Sequence, residues 1–477
     1  MRTKLARLRA YFNKAAVLDA RALALGRAAM ALLLLYDLAA RSGDMGALYS
    51  DEGIEPRSEV QAPLLPLFRL YFVNGTPQWT AGLFCLAALP ACALLLGYRT
   101  RLAAVLSWVM LVALQKRNGS VLQGGDDLLV MFLLWGTFLP LGQCWSVDAW
   151  RRPQETSFTY SGPATFAFYG QLFMLYFITG TLKLNAAHWR WGNGIYDALS
   201  ADYFVTGFGQ WLYRHYYVLK GLSWATLLLE SLGPLLLFIA PTRWKVRTGL
   251  VLSFVGFHLG ISACMRIGMF SFVCIAGWLF LIPSGLFDHF SNNRAATAHN
   301  PAPRRRWERT VVVILFSYLV IAAMVADRWP EGKWRDALLK PARVLALQEH
   351  WGMFVKPRAD SGFLVAGATL TSGRQVDFLR GGQPLSWRQP ALVVDLFANQ
   401  RWRKMLTGLT NGNKNRAERY LAWLCRTENA RRTGEKAVKV ELTYVSHAVG
   451  PRYEHGAEER KPLAQHDCAK EKPLSDR

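Results

Sequence analysis

Three ionisable side chains lie within apolar stretches of this sequence and could take part in proton transfer. Lys183 lies near the end of the run FITGTLKLN, Glu230 lies in TLLLESLGPLLLF, and His258 lies in SFVGFHLGIS. A lysine in a dry site can act as a general base near neutral pH, because burial penalises the charged ammonium. A carboxyl group with apolar flanks must be protonated, paired or exposed to a cavity. We therefore take these residues as the candidate catalytic set.

Each of the three also has a structural explanation. Lys183 could extend from a helix end and place its amine among the lipid headgroups. Glu230 could pair with an arginine, and His258 could be a hydrogen-bonded histidine of a helix bundle. Position in the sequence does not decide between the two roles.

The seven cysteines do not indicate a metal site. Five of them lie in or near apolar stretches, without a Cys-x-x-Cys pair or neighbouring histidines. The other two, Cys425 and Cys468, lie in the polar C-terminal third, where a disulfide is chemically allowed outside the cytoplasm. The sequence leaves open whether they pair.

The elements that carry the candidate residues are predicted to be membrane helices. Hydrophobic residues make up 52% of the 477 residues, yet the net charge is +23 and the mean hydropathy is only +0.11. These values fit an apolar N-terminal two-thirds joined to a basic, soluble C-terminal third. A run of roughly 20 apolar residues is long enough to cross a bilayer. The predicted spans are Ala22–Ala40, Trp79–Tyr98, Leu102–Gln115, Leu128–Gly142, Ala164–Leu184, Leu219–Ala240, Gly249–Cys264, Met269–Leu286 and Val311–Ala326.

Loop charge predicts the orientation of these spans, because Lys and Arg favour cytoplasmic loops. The basic positions before the first span and in alternate loops are Arg2, Lys4, Arg7, Arg9, Lys14, Arg21, Arg99, Arg101, Arg151, Arg152, Arg243, Lys245, Arg247, Arg304, Arg305, Arg306 and Arg309. The acidic positions that follow the first span are Asp44, Asp51, Glu52, Glu55 and Glu59. We therefore expect a cytoplasmic N-terminus and, after nine crossings, an extracytoplasmic C-terminus. The first apolar run is too long and too late for a cleavable signal peptide.

The chain from residue 327 to residue 460 is predicted to form a small soluble module, either α+β or mainly β. Its segment FLVAGATLTSGRQVDFLRGG indicates two strands around a Thr-Ser-Gly turn. Residues 461–477 lack apolar periodicity and are expected to be a disordered tail.

A basic stretch within this module has three interpretations. Eleven Lys and Arg residues lie between Arg401 and Lys439, against three glutamates. Such a helical face could meet anionic lipid headgroups or an acidic partner. It could equally be a solvated helix surface.

Five short segments together resemble one family of membrane proteins. They are YSDEGIEPR after the first span, GGDD before the fourth, LKLNAAHWRWGNG after the fifth, RIGMFSF at the eighth and EHWGMF past the ninth. In this order and spacing they resemble the HTTM-domain family, whose membrane region is related to vitamin K-dependent gamma-carboxylase. The resemblance covers about residues 17–400.

The resemblance implies a role for the candidate residues. The carboxylase segment similar to LKLNAAHW carries the lysine base that activates vitamin K hydroquinone, and Lys183 occupies the matching position. His258 and Arg266 are implied to line the same central cavity, and a quinone-like lipid is the cofactor that the resemblance suggests. The loop RNGSVLQGGDD lacks the histidine that the carboxylase has there, so glutamate carboxylation is not expected. Only about 150 residues follow the last span, too few for the carboxylase's platform for protein substrates.

Together these features predict an all-α polytopic membrane bundle of about nine helices over residues 1–326, followed by the soluble module. The leading hypothesis is a membrane enzyme acting on a lipid-soluble or membrane-delivered substrate, with Lys183 as base or nucleophile and Glu230 and His258 as cavity partners. The alternative is a non-catalytic accessory protein for the maturation or export of a partner peptide or protein. The expected surroundings are the lipid bilayer of a bacterial inner membrane, without a nucleic-acid partner.

Overall fold

The computed structural model shows a helix bundle followed by a smaller module built on a β-sheet. The described residues are 16–151, 157–239, 243–290, 296–299, 306–348, 351–356, 360–449 and 455–471. Some positions used in the predictions lie outside these ranges, namely the basic residues before residue 16, Arg152, Arg304, Arg305, Glu349, His350 and residues 472–477.

The described part of the bundle contains ten main helices joined by shorter helical turns. The main helices are α1 Ala20–Ser42, α2 Pro77–Leu96, α3 Thr100–Arg117, α4 Gly124–Gly136, α5 Pro163–Asn185, α6 Tyr216–Ile239, α7 Trp244–Cys264, α8 Phe270–Leu279, α9 Ser284–Phe290 and α10 Arg306–Arg328. The short turns are Met45–Tyr49, Leu70–Val73, Val147–Trp150, Ala187–Arg190, Gly194–Leu199 and Gly207–Tyr213.

Helix α2 shows how the sequence sets these boundaries. The Thr76 hydroxyl accepts a hydrogen bond from the Trp79 N–H, and Pro77 occupies the first turn, where no N–H donor is needed. Gly97 then ends the helix in the left-handed conformation, with φ at 68°. A side chain at Gly97 would also collide with Ser146.

Six of these helices are long and apolar enough to cross a membrane, namely α1, α2, α5, α6, α7 and α10. The number rises to seven if α8 and α9, bent by 75° at their junction, form one span. Helix α3 carries Arg101, Lys116 and Arg117, and α4 has only 13 residues. The predicted spans therefore fall on helices, but the count of nine is not confirmed.

The short helix α4 lies inside the bundle. Its 13 residues span about 20 Å, less than the roughly 30 Å of a hydrocarbon core. The side chains from Leu128 to Leu133 are fully buried among the other helices. A helix that stops within a bilayer needs such a protein cover for its free backbone groups.

Arg27, which lies within the first predicted span, ties α1 to the end of α2. Arg27 is buried, and its guanidinium donates to the carbonyl oxygens of Leu94, Leu95 and Trp145, each at 2.6 Å. These carbonyls lie at a helix end and in a loop, where backbone acceptors otherwise lack partners. The cost of burying Arg27 is thereby offset by hydrogen bonds.

The C-terminal module is α+β, as one of the two predicted alternatives stated. Between bundle and module lies α11 Lys333–Val344, and the module contains α12 Gln400–Leu409 and α13 Lys414–Arg431. The strands along the chain are β1 Leu18–Asp19, β2 Ser157–Tyr160, β3 Ala296–His299, β4 Asp360–Leu370, β5 Gln375–Asp377, β6 Gln383–Pro384, β7 Ala437–Val449 and β8 His455–Asp467. The last five form one antiparallel sheet in the order β6-β5-β4-β7-β8. The predicted strand pair around the Thr-Ser-Gly turn is confirmed as β4 and β5.

A disulfide joins the last helix of the module to the residue that follows its last strand. Cys425 of α13 and Cys468 just after β8 are bonded, so the pairing that the sequence left open is present. Because β8 runs to Asp467, residues 461–467 form a strand where the sequence predicted a disordered tail. The tail was misread because β8 lies at a sheet edge, where polar residues such as Lys461 and Gln465 can face solvent.

The module docks on the loops that join the helices, and charge complementarity guides the contact. Asp44 accepts hydrogen bonds from the Asn399 amide at 2.5 Å and the Trp402 indole at 2.8 Å. Arg419 of α13 pairs with Glu59 at 2.9 Å. Arg416 and Arg419 also pair with Glu55. Part of the basic stretch therefore meets an acidic partner within the same chain.

A second group of contacts holds the module to the segments after α5 and α7. The Ser361 hydroxyl of β4 donates to the Asp202 carboxylate at 2.8 Å, and both side chains are buried. On the surface, Arg266 pairs with Asp395 at 2.7 Å. The bundle loops with acidic residues and the module therefore form one continuous end of the molecule.

Candidate functional site

Lys183 and Glu230 form an ion pair between α5 and α6. The Lys183 ammonium donates to both carboxylate oxygens, at 2.9 and 2.8 Å. The two side chains are only 6% and 5% exposed. Two of the predicted residues are therefore partners, whereas the structural explanation for Glu230 had anticipated an arginine.

A glycine brings the two helices close enough for this pair. A Cβ atom built on Gly180 would lie 2.8 Å from the Ser231 hydroxyl oxygen and 2.9 Å from the Glu230 carbonyl carbon. Such distances are too short for a real side chain, so the close contact of α5 with α6 requires glycine here. Gly180 lies one turn before Lys183, on the same face of α5.

Aromatic residues close the site on the side of the module. The Lys183 ammonium lies 4.5 Å from the ring centroid of Trp189, a cation–π contact. The Trp189 indole donates to the Phe354 carbonyl at 2.7 Å, and the Thr179 hydroxyl donates to the Trp351 carbonyl at 3.1 Å. The segment 351–356, which leads into the module, therefore forms a wall of the site.

His258 belongs to a hydrogen-bonded group beside the ion pair. Its Nε2 lies 2.8 Å from the Tyr176 hydroxyl, which accepts from the Trp278 indole at 2.9 Å and also contacts the Cys274 thiol. Tyr176 precedes Lys183 by two turns on α5, so the two groups share a helix face. Lys183 and His258 are close enough to interact electrostatically.

The structure thus brings Lys183, Glu230 and His258 into one buried polar cluster along α5, but it does not bring Arg266 there. The Arg266 side chain is 56% exposed and is engaged with Asp395 of the module. The expectation that Arg266 lines the central cavity is therefore not met. Its sequence neighbours are apolar, but it lies in the turn between α7 and α8, where the chain reaches the surface.

Two buried polar atoms of this cluster have no hydrogen-bond partner among the described residues. They are the Ser231 hydroxyl, next to Glu230, and Nδ1 of His258. Unsatisfied polar groups at such depth are costly. With the surrounding rings, these two polar atoms are the groups here that could hydrogen-bond the oxygen atoms of a quinone-like lipid. No group of three or more His, Cys, Asp or Glu side chains in the described residues could hold a metal ion.

The structure also contains a second buried charge cluster, which the sequence did not predict as a unit. Arg401 of the module enters the bundle and donates to Asp37 at 2.5 Å and to Asp126 at 2.9 Å. Arg41 pairs with the same carboxylates, each at 2.7 Å. Tyr49 accepts a further hydrogen bond from Arg41 at 2.6 Å. Burial alone would lower the pKa of Arg401, but Asp126 and Asp37 outweigh it and hold that pKa well above its usual value.

The GGDD segment contributes Asp126, which has two roles at this cluster. Its carboxylate accepts from the Gln123 N–H at 3.0 Å and so caps α4. The same carboxylate also receives Arg41 and Arg401. The signal in the sequence was the set of isolated charges Asp37, Arg41 and Asp126 near apolar runs, but their partner Arg401 lies hundreds of residues away.

Near the site, the connection between α5 and α6 holds a second acid–base pair. Burial raises the pKa of Asp197 to about 6 and lowers the pKa of His188. The His188 Nε2 lies 4.0 Å from an Asp197 carboxylate oxygen. His188 immediately precedes Trp189, and their ring centroids are 6.3 Å apart.

Comparison with known proteins gives one match. A family profile described as HTTM domain matches residues 16–284, which is more than half of the chain and includes Lys183, Glu230 and His258. No curated protein and no solved structure matches the chain.

Proposed function

The chain belongs to the HTTM domain family, and we propose that it is a membrane enzyme that transfers a proton to or from a lipid-soluble substrate at Lys183 and Glu230. The observation that carries this proposal is the buried ion pair between α5 and α6. A buried ion pair is weak evidence for stability, because an apolar pair of similar volume is often as stable. Ionisable groups at membrane depth instead tend to mark functional sites.

The ion pair can supply a neutral lysine base because Glu230 is itself the acceptor for the lysine's proton. Transfer of one proton from the Lys183 ammonium to the Glu230 carboxylate gives a neutral amine and a neutral carboxylic acid. The amine can then accept a proton from a hydroxyl group or a carbon acid of the substrate, which becomes an anion, and Lys183 is charged again. The attraction between the Lys183 ammonium and the substrate anion is stronger in a site that excludes water.

Neighbouring groups have supporting roles in this proposal. The Ser231 hydroxyl and the His258 ring would bind oxygen atoms of the substrate, and the Trp189 ring would orient the lysine. A quinone-like lipid would supply hydroxyl or carbonyl oxygens to these residues. The arrangement is like that of the gamma-carboxylase only in the lysine, since the loop histidine is missing and glutamate carboxylation is not proposed.

We also propose an orientation in a bacterial inner membrane. The helix ends that carry Arg99, Arg101 and Arg247 would face the cytoplasm, and the acidic loop with the docked module would face the periplasm. A reporter that is active only in the periplasm should work when fused after Trp329 and fail when fused at residues 241–247. The reverse pattern would contradict the orientation.

The proposal can be tested by mass spectrometry of the purified protein. The wild type should retain a lipid-soluble molecule that is lost from the double variant Lys183→Met with Glu230→Leu, in which the site is apolar but still filled. Lys245→Arg, a conservative change on the exposed first turn of α7, is the matched control and should retain the molecule. Equal retention by all three proteins would contradict binding at Lys183 and would favour the non-catalytic accessory role.

A further inference from the structure

An exposed aromatic surface lies on the connection between α5 and α6 and the first turns of α6. We call this surface the aromatic patch; it comprises Trp191, Phe208, Trp211, Tyr217 and Trp224. These side chains are between 45% and 84% exposed. Large aromatic side chains are rarely exposed together on the surface of a soluble protein. A contiguous patch of them therefore indicates a surface that binds another molecule or a membrane.

Contacts within the described residues join these rings into one surface. The Trp224 indole donates to the Arg190 carbonyl at 3.1 Å, which places Trp191 beside Trp224. The Tyr216 hydroxyl donates to Asn193 at 2.9 Å and links the start of α6 to the same turn. Phe208 and Trp211 stack with their centroids 5.4 Å apart, and the Trp211 ring lies 4.7 Å from the ring of His215, which directly precedes α6.

Three cations border the patch, and in the described part of the chain none of them has an ion-pair partner. Arg190 and Arg214 are exposed, and Lys220 lies 5.3 Å over the ring of Trp224. The two acids of this connection turn inward instead. Asp202 is buried against Ser361, and Asp197 is half-buried near His188. The exposed charge of the patch is therefore positive.

The position of the patch identifies what covers it. Helices α5 and α6 are both long and apolar enough to cross a membrane, and the patch lies where the first ends and the second begins. At that level the hydrocarbon core gives way to lipid headgroups, where Trp and Tyr are enriched. Cations at the same level interact with anionic headgroups.

We propose that the aromatic patch is a binding site for anionic phospholipid headgroups of the leaflet on the module side, with Arg190, Arg214 and Lys220 as the phosphate-binding residues. The rings lie among the upper acyl chains and glycerol groups, and the three cations point to the phosphates. This inference does not depend on the proposed reaction at Lys183.

The test measures stabilisation of the full-length purified protein by phosphatidylglycerol, with phosphatidylcholine as the neutral reference lipid. A lipid that binds the native state raises the thermal unfolding midpoint as its concentration rises. The triple variant Arg190→Gln, Arg214→Gln and Lys220→Gln removes the cations. The matched control, Lys404→Gln, Lys436→Gln and Lys461→Gln, removes three exposed charges from the module instead.

We expect phosphatidylglycerol to stabilise the wild type and the control at the same concentrations. The triple variant should unfold at the same temperature as the wild type in phosphatidylcholine, but should need about a hundredfold more phosphatidylglycerol for the same shift. Each cation near a headgroup contributes about fivefold to binding. At about 1 M salt, where the Debye length is about 3 Å, the preference of the wild type should disappear.

Three results would overturn the proposal. The first is equal stabilisation by both lipids in the wild type, and the second is an unchanged preference in the triple variant, which would place the site elsewhere. The third is stabilisation by inorganic phosphate at the same concentration as by phosphatidylglycerol, because a free anion would then be the ligand. If Arg190→Gln prevents folding, Arg214→Glu alone should still reduce the preference by more than Lys436→Glu.

Discussion

Replacing Arg401 by methionine removes a module side chain that is buried against two bundle carboxylates. In the wild type the charges of Arg41 and Arg401 balance those of Asp37 and Asp126, and these four side chains are at most 4% exposed. The variant leaves this cluster with an excess of one negative charge, since Arg41 alone then faces both carboxylates. Removing one partner from a buried ion pair costs about 3–5 kcal/mol, so we expect module docking to weaken by that amount.

The assay is cleavage between bundle and module by a protease at increasing urea concentrations. Arg374→Met is the matched control, because Arg374 pairs with Glu435 at 3.0 Å on the module surface, with side chains 65% and 41% exposed. That exposed pair should contribute about 0–1 kcal/mol. Adding Asp126→Asn to Arg401→Met restores charge balance and should recover about 1–3 kcal/mol. A loss no larger than that of the control, or no recovery in the double variant, would refute the reasoning.

Three further predictions concern the site and its surroundings. Glu230→Leu should lower the unfolding temperature because it leaves the Lys183 ammonium unpaired, at a cost of about 3–5 kcal/mol. Adding Lys183→Met should restore most of the lost stability. An unchanged unfolding midpoint in the single variant would contradict the ion pair. Gly180→Ala should destabilise by about 1–3 kcal/mol, whereas Gly256→Ala, where a Cβ meets nothing within 4 Å, should not. Because burial raises the pKa of Asp197 from 3.8 to about 6, the folded state holds this proton more tightly than the unfolded state, so stability from this group is lost as pH rises from about 4 to about 6. Asp197→Asn should therefore raise the thermal unfolding midpoint when it is measured above pH 6 and leave it unchanged when it is measured below pH 4. A larger gain in the midpoint at low pH would contradict the predicted direction of this pH dependence.

Much of the helix arrangement could be predicted because membrane helices are marked by local composition. Each predicted span falls on a helix, and the charge of the loops distinguishes the two ends of the bundle. The number of crossings could not be predicted in the same way. Helix α4 is apolar but short, and whether it crosses depends on the protein that surrounds it and not on its own sequence.

Pairing between distant residues explains what sequence reasoning missed. Lys183, Glu230 and His258 stand out because charge within apolar runs is costly, but the sequence does not state which charge meets which. The basic stretch with Arg401 was predicted to face lipid headgroups, an acidic partner or solvent, and the sequence could not identify the partners Asp37 and Asp126 because they lie on other elements. The strand β8 was missed for a related reason, since a polar edge strand is defined by its neighbour β7.

The most direct test of the proton-transfer function is the change Lys183→Arg. Arginine can keep the ion pair with Glu230 and the folded bundle, but it does not give up its proton at any accessible pH. Lipid extracts of cells that lack the protein should differ from those of wild-type cells in at least one species, and Lys245→Arg should restore the wild-type pattern. The account predicts that Lys183→Arg, expressed at the same level, leaves the pattern of the deletion. Full restoration by Lys183→Arg would contradict a lysine base and would leave the ion pair with a structural role.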